Sequence, residues 1–259
     1  EPGTGGRGSQ VDIAAQAIQV LGANETARDG YLAISADGLT TLGAGSLLLG
    51  GTRSTDAHGN DQVDTIARSV VISNDGAHPL TGPEILLTAD DGGDPGAQGL
   101  LLERGSDIEA RGQASGVANR QLVFGTAAGT DANGNPIAAV GGDGALLRVS
   151  QNGAAPIVRN DVSGDSGRLA IESGAIVRGG AALSLDATGA ASVDPGASFA
   201  ATAIDVTSSL ITFAGAGANI AAGTGGLVIG AKTLDLFRDA LQISLRSRSA
   251  IDFAGDVSV

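Results

Sequence analysis

The sequence predicts an all-β fold: a parallel β-helix, that is, a solenoid with loop excursions. Aliphatic residues gather in short runs, such as Ala17-Ile18-Gln19-Val20-Leu21, Leu47-Leu48-Leu49, Val70-Val71-Ile72, Ile85-Leu86-Leu87 and Leu100-Leu101-Leu102, with Gly, Asn, Asp or Ser nearby. Such punctuation marks strands and turns. From Gly167 to Val259 apolar residues alternate and then break at Gly or Asp, and comparable strands begin at Leu183, Ile204 and Leu227, 21 and 23 residues apart. A repeat of roughly 20–25 residues, made of short strands and glycine turns, suits stacked coils, each paired with the coils above and below. No regular helical crossover separates the runs, as a doubly wound sheet would require.

Composition narrows the class further. The chain has 259 residues and a formal charge of -13, with 42 Gly, 22 Asp against 6 Glu, and 14 Arg against one Lys. It has no Cys, which excludes a disulfide scaffold, a thiolate metal site and a Cys nucleophile. The acidic balance argues against nucleic-acid binding, whose footprint is a basic patch. No apolar run reaches the roughly 18 residues of a membrane helix. One Tyr and no Trp cannot supply the aromatic girdles of a membrane barrel. The hydrophobic fraction of 42% argues against disorder, and the scarcity of aromatics means a core of small aliphatics.

In chain order, Glu1-Pro2-Gly3-Thr4-Gly5-Gly6 reads as a loop, and the chain as a mature segment of something longer. Residues 1–30 are an N-terminal extension or first coil. Residues 31–259 form a single β-helix with longer loops near 50–60, 90–99 and 125–143. Two of these loops carry near-copies of one phrase, Thr55-Asp56-Ala57-His58-Gly59-Asn60 and Thr130-Asp131-Ala132-Asn133-Gly134-Asn135. Leu234, Phe237 and Leu241 have helical spacing, which permits a helix near 233–240, although the same residues also permit strands.

Few motifs point to chemistry. Gly164-Asp165-Ser166-Gly167 is similar to the tetrapeptide around the nucleophilic Ser of chymotrypsin-like proteases, with His58 upstream. Arg168-Leu169 stands where Gly-Pro would follow, so a turn is expected. Asp131-Ala132-Asn133-Gly134-Asn135-Pro136 starts like a calcium loop but has Pro136 at position 6 and Gly142 at position 12. Gly141-Gly142-Asp143-Gly144 starts like a calcium β-roll repeat, but Leu146 stands where Asp is needed. Asp56 and Asp131 therefore read as Asx-stabilised loop tips, with a weak surface calcium site at either as the alternative. Gly3-Thr4-Gly5-Gly6-Arg7-Gly8 has dinucleotide-loop spacing but follows no strand. Asn24-Glu25-Thr26 matches a glycosylation acceptor. His58 and His78 lack a second ligand at zinc spacing. Asp90, Asp91 and Asp94 read as a solvated loop, and Lys232, Arg238, Arg246 and Arg248 as a small basic patch. No catalytic, cofactor or metal residue is assigned.

Four ordered phrases, Leu42-Gly43-Ala44-Gly45-Ser46-Leu47-Leu48-Leu49-Gly50-Gly51-Thr52-Arg53, Gly82-Pro83-Glu84-Ile85-Leu86-Leu87, Gly144-Ala145-Leu146-Leu147-Arg148-Val149-Ser150 and Leu245-Arg246-Ser247-Arg248-Ser249-Ala250-Ile251-Asp252-Phe253, span residues 42–253. In that order they resemble the large filamentous-haemagglutinin-type exoproteins of two-partner secretion, over about residues 30–259. The resemblance implies a right-handed parallel β-helix on the outer surface of a Gram-negative cell. It also implies passage through an outer-membrane partner transporter before folding outside. The family's secretion module carries an Asn-Pro-Asn-Gly turn. Here only Asn133-Gly134-Asn135-Pro136 occurs, so the segment is expected to come from the rod.

The expected function is structural and non-enzymatic: a rod segment acting in adhesion, biofilm scaffolding or filament formation. The expected partners are the transporter, a host or matrix glycan or receptor, and further copies joined end to end. The alternatives are a carbohydrate-active β-helix enzyme, poorly supplied with one Lys and no Trp, and a glycan-binding module.

Overall fold

The computed structural model describes residues 9–56, 58–113, 121–130, 134–218, 220 and 225–257. It is mostly β, and most strand pairings are parallel. Six parallel strands make one sheet, in the spatial order Leu32–Ser35, Ala17–Leu21, Ser69–Ser73, Gly99–Leu102, Leu169–Ile171 and Ala191–Val193. The register aligns like with like. Val20, Ile72, Leu102, Ile171 and Val193 stand level with one another, and all are buried in the main core.

A larger, nine-stranded sheet faces the same core. Its central ladder runs Ile13, Leu49, Leu87, Leu147, Leu185, Val206 and Leu245. Period-2 alternation aims these side chains inward, so each strand of the ladder buries apolar surface against its neighbours. One member departs from the uniformly parallel pairing expected of stacked coils. Ala145–Ser150 runs antiparallel between Glu84–Ala89 and Ile176–Ala187. Reversal leaves the alternation intact, so Leu147 and Val149 still complete the inner ladder.

Two strands are longer than the sequence reading allowed. Ile176–Ala187 has 12 residues and Ser198–Ser208 has 11. The runs Ile176-Val177 and Leu183-Leu185 belong to one strand, joined through a register shift between Arg178 and Gly180. Gly179 makes the bend feasible: a Cβ there would lie 2.8 Å from that of Leu183 and 2.9 Å from that of Ala201. The first half of the bent strand joins Leu80–Gly82, Asp107–Ala110 and the start of Ser198–Ser208 in a further ladder of Leu80, Ile108, Val177 and Phe199.

Helices stand at both ends of that ladder. Helix α1 (Ala36–Thr41) packs on Leu80–Gly82, with Ser35 capping its start and the Thr40 hydroxyl accepting the Thr81 amide at 3.1 Å. At the other end, α2 (Ala231–Leu234) runs into a 3-10 turn, Asp235–Phe237, and the Phe237 ring lies 6.1 Å from that of Phe199. The helix expected near 233–240 is therefore present only in part: it starts at Ala231, ends with the 3-10 turn at Phe237, and leaves Leu241 outside and exposed.

The segment 50–60, read as a loop, opens with a strand: Gly51–Thr55 and Asp61–Thr65 form an antiparallel hairpin. Leu122–Phe124 and Ile157–Arg159 extend it in parallel to a four-stranded cover sheet. A second apolar cluster of Leu48, Val63, Leu86, Leu122, Phe124 and Leu146 joins the cover sheet to the outer face of the large sheet. This explains the unbroken runs Leu47-Leu48-Leu49 and Ile85-Leu86-Leu87, since those strands are buried on both faces.

Candidate binding cleft

The outer face of the large sheet changes character where the cover sheet ends. Across the strands one row reads Leu48, Leu86, Arg148, Ser184, Asp205 and Ser244, and the neighbouring row ends Leu146, Asp186, Thr207 and Arg246. Ile157–Arg159 is the last strand of the cover sheet. Beyond it a cleft of about 940 Å³ opens, lined by Ile157 and Arg159 on one wall, Asp186, Asp205 and Thr207 on the floor, and Gln242, Arg246 and Arg248 beyond.

A buried ion cluster forms the inner end of this cleft. Asp186, 2% exposed, accepts from Nε of Arg159 through Oδ1 and from Nη2 of Arg248 through Oδ2, the latter at 2.8 Å. The Arg159 side chain is fully buried; it donates to the Gly142 carbonyl at 2.7 Å and lies over the Phe124 ring at 4.2 Å. Burial pulls its pKa below the ordinary arginine value, against the opposing pull of Asp186. Its remaining nitrogen, Nη2, is buried with no hydrogen-bond partner among the described residues.

Elsewhere Arg–carboxylate pairs serve as clasps between segments. Arg53 binds Asp12 at 2.6 Å and Ser46 Oγ at 2.6 Å, and Ser46 in turn donates to Glu84, which also holds Arg148 at 2.6 Å. This chain of contacts ties the hairpin to the large sheet. A planar guanidinium can serve two or three acceptors at once, as Arg53, Arg148 and Arg168 do here.

The residues singled out in the sequence are mostly structural. Gly164-Asp165-Ser166-Gly167 is a clasped turn. Asp143 accepts the Ser163 amide and hydroxyl at 2.9 and 2.7 Å and the Gly164 amide at 3.0 Å. Asp91 accepts the Gly167 amide at 3.0 Å and also binds Arg168. For both carboxyls burial works to raise the pKa, but the donated bonds outweigh it and the net direction is down. Asp91 is 1% exposed, so the solvated-loop reading of the 90–94 cluster is corrected there; only Asp90 and Asp94 remain at the surface. No bond joins His58 to Ser166 among the described residues; His58 sits at the hairpin tip beside Asp56, at 3.8 Å.

Asp56 stabilises its own turn. It accepts the His58 and Asn60 amides, each at 2.8 Å, and the Asn60 side chain at 2.9 Å. The Asn60 side chain is the main reason its carboxyl sits below the usual range. Asp131, Ala132 and Asn133 lie outside the described residues, as does the glycine-rich stretch 3–8. Asn24-Glu25-Thr26 lies in the connection after Ala17–Leu21, where the Thr26 carbonyl accepts from Gln19 at 3.4 Å. His78 bonds Asp37 of α1 through Nδ1 at 2.7 Å. The expected basic patch divides: Lys232 and Arg238 accompany α2, with Arg238 paired to Asp235 at 3.5 Å, while Arg246 and Arg248 line the cleft. Among the described residues no group of three or more His, Asp or Glu is placed to hold a metal ion.

Sequence reasoning passed over Arg159, Asp186, Asp205 and Thr207. The signal was present in the polar phase of two alternating strands, Leu183-Ser184-Leu185-Asp186 and Ile204-Asp205-Val206-Thr207. The chain matches no protein-family model, no curated protein and no solved structure.

Proposed function

We propose that the sheets are the faces of a right-handed parallel β-helix and that the protein is a structural rod segment of a secreted bacterial surface exoprotein. The observation that carries this reading is the repeated return of the chain to the same register. Leu169, Ala191 and their neighbours pair in parallel 22 positions apart, and Leu183 and Ile204 pair 21 apart. Such a stack gains length by adding levels, each supported mainly by the next. The resemblance in sequence supports an extracellular setting, reached through an outer-membrane partner transporter. Adhesion, biofilm scaffolding and filament formation are the roles a stiff spacer fills. Gln242–Ser247 and Ile251–Ala254 are the outermost strands of their sheets, with Leu241, Ile243, Ile251 and Phe253 exposed, an edge suited to end-to-end contact with a second copy.

Single-molecule pulling between the two termini tests the stack. Residues 167–257 are expected to lengthen in steps of about 7 nm, the extended length of roughly 20 residues. Release of the whole segment in one event would overturn the reading of coils that peel off one after another.

A further inference from the structure

We propose that the cleft beside Ile157–Arg159 binds an acidic polysaccharide. A sugar carboxylate would be seated against Arg246 and Arg248, and ring hydroxyls would be held by Asp205, Thr207 and Gln242. This goes beyond the structural reading and does not depend on it.

The first argument is charge. The chain carries -13, yet the cleft is lined by three arginines and two aspartates. Asp186 is shared between Arg159 and Arg248, so its one negative charge faces two positive ones. A surplus of positive charge on an acidic protein is where an anion is least repelled.

The second argument is unmet hydrogen bonding. Nη2 of the fully buried Arg159 lacks an acceptor among the described residues. That atom has almost no accessible surface, so the bonding capacity a ligand can reach lies on the floor and far wall. On the floor and far wall, Asp205, Thr207, Gln242 and Arg246 line the cleft and make no side-chain bond to any described residue.

The third argument concerns what can satisfy all of these at once. Arginine only donates, whereas an ionised aspartate only accepts. A bare sulfate would suit Arg246 and Arg248 but has no donor for Asp205. A neutral sugar would suit Asp205 but leave Arg246 unmatched. A uronic acid unit carries a carboxylate for the arginines and hydroxyl donors for Asp205. The cleft, at about 940 Å³, lies at the large end of the usual range of roughly 300–1,000 Å³, with room for more than one sugar ring.

The test is calorimetric titration of the whole chain with oligogalacturonate and with oligoguluronate, up to 10 mM. Methyl-esterified oligogalacturonate, poly-glutamate and sulfate serve as controls. At least one uronate oligomer is expected to bind, and loss of the free carboxylate on esterification is expected to weaken binding at least tenfold. Arg246→Gln and Asp205→Asn are each expected to weaken it about tenfold, the loss of one charge-assisted bond, with Tm unchanged. Arg246 is exposed and Asp205 only partly buried, so neither change removes a packing contact. Binding of neither uronate would overturn the proposal. So would equal binding of the ester, of poly-glutamate or of sulfate, or unaltered affinity in both variants.

Discussion

The carboxylate of Asp91 accepts the backbone amide of Gly167 at 3.0 Å, joining positions 76 residues apart in the sequence. The same carboxylate holds the Arg168 guanidinium and accepts the Gly93 amide at 3.2 Å. Asp143 grips the other end of the turn, and between them the Thr188 hydroxyl donates to the Ser166 carbonyl at 2.7 Å. The tetrapeptide that looks like a protease signature is thus a connector fixed at both ends before the chain re-enters the stack at Leu169. Its serine is buried and positioned by its backbone.

Replacing Asp91 with Ala should therefore destabilise the protein by about 2–3 kcal/mol, since the buried Gly167 amide, the part-buried Gly93 bond and a guanidinium lose their acceptor. Asp91→Asn keeps one carbonyl oxygen for Gly167 and should cost less. Because the folded pKa of Asp91 is lowered, its contribution is present above the unfolded carboxylate value of about 3.9 and fades as pH falls through the lower folded value. Urea denaturation at pH 7 and pH 3 checks both points: the gap between wild type and Asp91→Asn should narrow in acid. A gap that widens would assign the bond pattern wrongly.

This clasp also marks the limit of what the sequence made legible. The ladders were readable, because alternation in Leu183-Ser184-Leu185 and Ile204-Asp205-Val206 encodes which side faces inward. The buried outer face of Leu47-Leu48-Leu49 was readable only as an anomaly, since an unbroken run contradicts one-sided burial without naming what covers the other side. The antiparallel strand Ala145–Ser150 was not readable at all: direction leaves no trace in a period of two. Asp91 and Gly167, or Arg159 and Asp186, are brought together by the path of the whole chain, and no local spacing records that.

His78 and Asp37 provide a second pH handle. The hydrogen bond that the His78 ring donates to Asp37 raises the His78 pKa, against a smaller lowering by burial, with Asp37, Asp75 and Glu25 adding attraction. A raised folded value means the contribution is complete below the unfolded value of about 6.5 and is lost as pH rises through the folded one. In an NMR titration, Asp37→Asn should move the His78 midpoint downward. The anchoring of α1 to the 75–79 turn should loosen at alkaline pH in the wild type. An unmoved midpoint in Asp37→Asn would remove Asp37 as the cause.

Gly50 sits where the chain leaves the large sheet for the cover hairpin. Its amide donates to the Ile13 carbonyl at 2.8 Å, and its own carbonyl accepts the Ile66 and Ala67 amides, each at 2.8 Å. Its φ is +100°, and a Cβ would lie 1.9 Å from the Thr88 carbonyl oxygen. Backbone cannot yield there, so Gly50→Ala should cost more than about 3 kcal/mol, combining strain with a clash. Gly59 at the hairpin tip has φ +84° and open space around it. Gly59→Ala should cost about 1 kcal/mol, from conformation alone. Thermal denaturation of the pair separates the two causes, and equal losses would mean the Thr88 contact relaxes freely.

The two stacked phenylalanine pairs distinguish a closed end from an open one. Phe237 is 1% exposed and closes the ladder that ends at Phe199, while Phe253 is 64% exposed although its ring lies 5.2 Å from Phe213. In an isolated chain, Phe237→Ala should cost about 3–4 kcal/mol by opening a cavity. Phe253→Ala should cost about 1 kcal/mol, the worth of a stacked pair without much burial. Denaturation at several protein concentrations makes the comparison informative about assembly. If copies join through the Ile251–Ala254 edge, Phe253 becomes buried, its loss grows with concentration toward that of Phe237, and sedimentation shows the variant smaller than the wild type. If the Phe253 loss stays near 1 kcal/mol at every concentration, that edge remains open to solvent and end-to-end contact through it is overturned.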